Sequence, residues 1–299
     1  MPAESTNPDH GFRAARYLSK LLLKLVFTLL LGGFLGATLV RVAPGFNITE
    51  EGLDFRLSEQ SKQAIQAASR QDSSVPRFYL NYLLALAQGD LGTSRTFARP
   101  VAELLRERLP VTMKAVAAGW TMGWLLGLLL ALASVTFRSA TYDSLASVLA
   151  GATLCFPVAV MSLLFMYVEG PAAMVIALIV FPKIFQFSRN LLKKSSEQLH
   201  VLTAQAKGAG RMRVLLCHIL PTAAPELLAL AGVTMSIALG AAIPVEAIFD
   251  LPGTGQLAWQ SALSRDLPVL VNLTLLMTAF TLLVNAAAEL SALPFKANR

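Results

Sequence analysis

The feature that most limits what this chain can become is a set of apolar runs that approach the thickness of a bilayer. "LLLKLVFTLLLGGFLGATLV", residues 21–40, is the first of them. Crossing hydrocarbon as a helix takes about 20 mostly apolar residues. Backbone groups inside lipid have no water to bond to, so only helices and closed barrels span it. Long continuous runs, rather than alternating ones, select helices. Charged residues are only 14% of the chain, where a soluble domain carries about a quarter. The sequence therefore predicts an all-α integral membrane protein. Its net charge of +7 needs no nucleic-acid partner, because basic side chains collect at one membrane face.

Six spans are expected: 21–40, 112–134, 145–167, 171–187, 227–245 and 269–290. The basic flank Arg13, Arg16 and Lys20 before the first run also fits a signal peptide. The length of that run, and the lack of an A-x-A-like site after it, favour an uncleaved helix with Lys24 snorkelling to the interface. Residues 41–110 nearly balance acids and bases. They read as an exposed helix, a Gly-rich turn and a short amphipathic helix ended by Pro110. Gly119, Gly123 and Gly127 recur every fourth residue in the second span. That spacing lets helices approach closely in lipid, although glycine is also simply frequent in membrane helices. Pro157 is placed to kink the third span.

Charge orients the spans. Residues 188–221 hold Arg189, Lys193, Lys194, Lys207, Arg211 and Arg213 against Glu197 alone. That segment and the basic tail before Leu21 should face the cytoplasm. Six spans then put both ends inside and residues 41–110 and 246–268 outside. Cys155 and Cys217 are too scattered to suggest a disulfide, and His10, His200 and His218 lack metal-ligand spacing. No H-E-x-x-H, G-x-S-x-G or intramembrane aspartate pair occurs. No catalytic or metal-binding residue is expected. No lysine follows a glycine, so there is no G-x-x-x-x-G-K-[ST] phosphate loop. An ion-coupled transporter would place ionisable groups at mid-membrane. Lys24, Lys114 and Lys183 all fall near span ends instead.

The segment "LHVLTAQAKGAGRMRVLLCHILP" stands out between two apolar spans. Leu199, Leu202 and Ala206 share one helical face. Gly208 and Gly210 permit a sharp turn. A second short helix is expected to follow and to stop at Pro221. Two short helices around a glycine turn make a knob that can fit a groove in a soluble partner.

From Gly208 to Leu220-Pro221 the spacing resembles the EAA loop of inner-membrane subunits of ABC importers. "TAQAKG" is similar to the T-A-R-A-K-G form in the dipeptide, oligopeptide and nickel permease branch, and the "B"-type permease is the nearest pattern. "GDLGTSRTFARPVAELLRERLPVT" resembles that branch's G-D-L-G-x-S, P-V and L-P-x-T segment. "VEAIFDLPGTGQLAWQSALSRDLP" resembles its V-E-x-x-F-x-x-P-G-x-G and R-D-x-P segment. The likeness runs from about residue 17 to 290. There are departures. Leu202 stands where the motif opens with an acid, and His218 where an aliphatic residue is usual. Only "VEG" links spans three and four, where the family has a long external loop, and the family's D-P-R ending is absent.

The resemblance implies a six-helix type I ABC importer permease in the bacterial inner membrane. Its parts would be a cytoplasmic tail 1–20, a first helix 21–40, a periplasmic segment 41–111, a five-helix core 112–290 and a tail 291–299. Within the core, 190–221 would be the cytoplasmic coupling hairpin and 246–268 an external scoop lining the outer gate. ATPase coupling would fall to Thr203, Ala204, Ala206, Lys207, Gly208, Arg211, Leu220 and Pro221. Gating and docking would fall to Pro252, Gly253, Gly255, Arg265 and Asp266. Arg265-Asp266 also reads as a local ion pair at a helix start, and Glu246 and Asp250 as caps for external backbone groups. Polar groups of the fifth span, Thr234 and Ser236, are candidates for facing the pore. The implied partners are a homologous second permease, two ABC ATPases that carry the ATP and Mg, an extracytoplasmic solute-binding protein and membrane lipid. The chain itself would bind no cofactor. A permease-like scaffold without transport is the alternative that the missing external loop keeps open.

Overall fold

The computed structural model describes residues 23, 26–28, 30–35, 38, 79–80, 83–86, 88–137 and 139–297, with side chains as far as 292. These are almost wholly helical. In order they form α1 (Val101–Phe137), α2 (Ala140–Cys155), α3 (Val158–Tyr167), α4 (Ala172–Ser196), α5 (Leu199–Ala206) and α6 (Arg211–Val214). A π turn (Leu215–Ile219), α7 (Leu220–Ile248), α8 (Thr254–Leu263) and α9 (Leu267–Ala297) follow. Four helical stretches are long and apolar enough to cross a membrane: Val101–Phe137, Ala172–Ser196, Arg211–Ile248 and Leu267–Ala292. The α2–α3 pair makes a fifth if counted as one broken span. Part of the expected first helix 21–40, and most of the segment 41–87, lies outside the described residues. What is described there includes a short apolar helix, Val26–Leu35.

Prolines behave differently from the sequence expectation. Pro110 does not end a helix; it lies inside the 37-residue α1. Burial of Val101, Leu104 and Leu105 beside it contributes about 1.5–3 kcal/mol per side chain. That offsets the roughly 3 kcal/mol cost of an internal proline. Pro157 does more than kink its span. Phe156 and Pro157 both adopt extended backbone, as a residue before proline prefers. The helix breaks there and bends by 96°. Pro221 does not stop the helix after the glycine turn. It sits in the first turn of α7, directly after the π turn. A proline ring presses on the carbonyl four residues back and offers no N–H. The wider π turn lets the chain accept that and run on to Ile248.

The described chain divides into two units, residues 103–260 with 283–299, and residues 1–102 with 261–282. In the first unit, α1 lies directly on α4. A Cβ on Gly119 would fall 2.6 Å from the Ala173 carbonyl, and one on Gly127 would fall 2.9 Å from the Phe181 carbonyl. A Cβ on Gly123 would collide with Val180. The four-residue glycine stripe is therefore a packing seam, the closer of its two readings. A core of Ala131, Ala146, Ala150, Phe181, Phe185 and Leu192 continues into the hairpin through Val201, Val214, Leu215 and Ile219.

In the second unit, Tyr79 packs on Val271 and Leu275 and meets Phe34 edge-on, with ring centroids 5.7 Å apart. Its hydroxyl donates to the Leu30 carbonyl at 2.9 Å.

Candidate functional site

The hairpin is built on one capping device. The N–H of Ala209 reaches the Ala204 carbonyl at 3.2 Å and that of Gly208 reaches Gln205 at 2.9 Å. This is the Schellman pattern, which places the residue after the C-cap in left-handed backbone. That residue is Gly208, with φ of +80°. Gly210 is different: its φ is −60° and it caps α6, so nothing in its backbone requires glycine. Val201 is buried, and Ala204 and Ala209 pack against the core below. The face of Leu199, Leu202 and Ala206 therefore points outward, with Leu199 83% exposed. Thr203, Lys207, Arg211, Met212 and Arg213 are exposed beside it. Leu220 is half-buried and Pro221 exposed; both lie beyond the π turn. The result is a rigid knob with an apolar patch and a cationic rim.

A second constellation joins the L-P-x-T and V-E-x-x-F-x-x-P-G-x-G motifs within the same unit. Glu246 is completely buried on α7. Its Oε2 accepts the N–H groups of Gly255 at 2.7 Å and Gln256 at 3.3 Å. These are free donors at the N-terminus of α8, where a negative charge is favoured. The carboxylate explains the glycines. A Cβ on Gly253 would collide with it, and one on Gly255 would lie 2.8 Å from the Ile243 Cα. Thr112 of the L-P-x-T motif accepts the Thr254 N–H at 2.8 Å. Arg108 donates to Gln256 Oε1 at 2.6 Å, and Gln256 donates in turn to Asp250. Pro252 is exposed at the start of this turn. Asp250 takes left-handed backbone, φ +52°, which aspartate tolerates better than most residues. Glu246 thus caps a helix end, as expected, and a buried one.

In the other unit the G-D-L-G-x-S and R-D-x-P motifs meet. Asp266 is 1% exposed. Its Oδ2 accepts from the Ser94 hydroxyl at 2.5 Å and the Thr96 N–H at 3.0 Å. Ser94 Oγ also accepts the Phe97 N–H at 2.9 Å. Asn272 donates to the Leu91 carbonyl at 2.9 Å. Gly89 and Gly92 supply left-handed backbone, φ +81° and +73°. The aspartate is thus a buried clasp for the 91–97 loop, while Arg265 is exposed with φ of +57°.

Thr234 and Ser236 are not open groups within this chain. Thr234 is fully buried, and its hydroxyl accepts the indole N–H of Trp120 at 3.1 Å and of Trp124 at 3.0 Å. It donates to the Leu230 carbonyl at 2.9 Å. Ser236 donates to the Gly232 carbonyl at 3.1 Å and accepts from Asn285 at 3.3 Å.

Sequence reasoning missed one cluster. Arg189 and Lys193, read there as topology charges, both bond to Asp143. The available signal was a lone acid in the first turn of α2 and two bases four residues apart at the end of α4.

Residues 123–293, more than half of the chain, match the family described as binding-protein-dependent transport system inner membrane component. A Brucella suis biovar 1 protein named as a candidate peptide permease is 28% identical over 264 residues, 79% of this chain and 83% of that protein. The glutathione transport system permease protein GsiC of Pectobacterium atrosepticum is 25% identical over 296 residues, 92% of this chain and 95% of GsiC. Among solved structures, an inward-facing MetNI methionine ABC transporter chain is similar in fold. Its TM-score is 0.53 at 18% identity, covering 65% of this chain and 94% of that one.

Proposed function

Because the chain belongs to the family of inner membrane components of binding-protein-dependent transport systems, we propose that it forms one half of the translocation pathway of an ABC importer for peptide-like solutes. The other half is a homologous permease. Two separate ATPases hydrolyse ATP with Mg, and an external binding protein delivers the solute. Six spans, with Val26–Leu35 part of the first, place both ends in the cytoplasm and residues 41–111 in the periplasm. Peptide-type cargo is supported by the names of relatives that align along most of their length.

The observation that carries the reading is the hairpin. In a soluble protein, an apolar patch around an 83% exposed Leu199 would be a liability; here a cationic rim frames it. Such a surface suits a groove with acidic edges on a soluble subunit. ATP-driven closure of the ATPases would move the knob as a rigid body and rock the helices behind it. Glu246 and Thr112 hold the start of α8 in one place. That suits a segment serving as an outer gate, with Pro252, Gly253 and Gly255 shaping its turn.

The test is co-purification. The tagged chain, co-expressed with the proposed second permease, ATPase and binding-protein partners, should retain the ATPases through size exclusion. Lys207→Glu with Arg211→Glu should lower the retained ATPase at least about tenfold, about 1.4 kcal/mol. Retention unchanged by the double reversal would place the ATPase contact elsewhere. Proteoliposomes of the parent complex should take up radiolabelled glutathione or a dipeptide when the binding protein and ATP are supplied. Absence of uptake with intact ATP hydrolysis would favour the scaffold alternative.

A further inference from the structure

The cluster on Asp143 lies outside every motif given above. Asp143 Oδ1 accepts from the Ser134 hydroxyl at 2.5 Å and from Arg189 Nε at 2.5 Å. Its Oδ2 accepts from the second arm of the Arg189 guanidinium and from Lys193 Nζ at 2.8 Å. One carboxylate thereby ties together the end of α1, the start of α2 and the last turns of α4. The relative exposures of the Arg189 and Asp143 side chains are 22% and 18%, so water screens the pair weakly. Lys193 is more open, at 42%.

We propose that Asp143, Arg189 and Lys193 form a latch that makes the α1–α2 turn follow the hairpin, and that this latch carries the ATP-driven motion into the transmembrane core. The latch rests on the reading of the hairpin as the ATPase-seating element. Its place in the chain supports it. Beyond Lys193, α4 ends at Ser196, and a tight corner of backbone bonds, Glu197 to Lys194 and Gln198 to Ser195, both at 3.4 Å, leads straight into α5. Leu192, one residue before Lys193, shares a buried cluster with Val201 and Val214 of the hairpin. A displacement of the hairpin therefore reaches Arg189 and Lys193 through a short, packed lever. Beside the triad lies an open cavity of about 540 Å³, lined by Ser134, Ser139, Asp143, Lys193, Glu197 and Leu202. It leaves room for the corner to shift.

The same groups could serve as a structural staple, but the energetics argue otherwise. A partly buried ion pair adds little net stability, because desolvation consumes most of the Coulomb gain. The apolar core already joins these helices. What a bidentate charged contact adds is discreteness: it is either made or broken, as a two-state element requires. In this respect Asp143 is a positioning residue that acts through α4.

The experiment uses the complete complex and reads ATP hydrolysis with and without the binding protein. Asp143→Asn keeps the shape and removes the charge. It should leave ATPase retention and basal hydrolysis within about twofold of the parent and lower binding-protein stimulation at least about fivefold. Amide hydrogen exchange across 199–214 should rise. Asp143→Glu, or the reversed pair Asp143→Arg with Arg189→Asp, should restore part of the stimulation, which a mere loss of folding would not allow. Stimulation within about twofold of the parent in Asp143→Asn would overturn the latch. If that variant does not assemble, Lys193→Gln decides, since its target is half-exposed: weakened stimulation supports the latch and undiminished stimulation overturns it. If the parent chain retains no ATPase at all, the reading of the hairpin fails, and the latch with it.

Discussion

At the scale of single residues, two kinds of glycine carry different costs. Gly208 has φ of +80° and nothing within 4 Å of where a Cβ would stand. Its constraint is purely backbone. A non-glycine residue in left-handed backbone costs roughly 1–2 kcal/mol, and asparagine tolerates it best. Gly208→Asn should therefore assemble and couple nearly as the parent does. Gly208→Val, β-branched, should loosen the hairpin and lose coupling while the chain still inserts. Gly255 is the reverse case: a Cβ there would lie 2.8 Å from the Ile243 Cα and 2.9 Å from the Ala242 carbonyl, backbone atoms that cannot swing aside. Overpacking of this kind costs about 1–3 kcal/mol, and it would also lever α8 off Glu246. Thermal unfolding of the detergent-solubilised chain should rank Gly255→Ala well below Gly208→Ala. Equal midpoints would show that the Glu246 contact yields freely. Both glycines were visible in the sequence as motif letters. Their reasons were not, because a φ value and a carboxylate nine residues upstream are properties of the folded chain.

At the scale of elements, what the sequence made legible was periodicity and length. Apolar runs located most of the spans, and the four-residue glycine spacing located the α1 seam. Helix ends were misread at prolines. Pro110 lies inside α1 and Pro221 in the first turn of α7, although both were expected to stop a helix, whereas Pro157 breaks one. The difference is context that a single sequence hides: burial on either side of Pro110 outweighs one lost hydrogen bond, and extended backbone at Phe156 has no such opposition. The glycine seam gives a prediction of opposite signs. Gly119→Ala and Gly127→Ala push a methyl against carbonyls of α4 and should each cost about 1–3 kcal/mol. Gly151 and Gly240, also helical, have nothing within 4 Å of a Cβ. Alanine at those positions should stabilise by about 0.5–1 kcal/mol, through helix propensity alone. Unfolding midpoints followed by tryptophan fluorescence separate the pairs. A lowered midpoint for Gly240→Ala would mean that this face of α7 is a contact surface in the detergent-solubilised protein.

At the scale of the whole molecule, charge is the argument for orientation. The Asp143 latch takes Arg189 and Lys193 out of the set of free surface cations, so part of the basic excess that pointed to the cytoplasm is spent on structure. What is left near the hairpin is Lys194, Lys207, Arg211 and Arg213, the last three on the exposed knob, with Glu197 the acid among them. Short basic loops set topology by resisting translocation, and acids count little in that balance. We predict that the remaining four hold the hairpin inside, with the 90–100 loop expected on the opposite face. Cys217 and Cys155 are both exposed. In a Cys155→Ser background, a membrane-impermeant maleimide applied to intact cells should leave Cys217 unmodified and should react with Arg95→Cys. After the membrane is opened, Cys217 should label as well. Labelling of Cys217 in intact cells would invert the orientation. It would put the knob on the side away from ATP and remove the basis for both the coupling role and the latch.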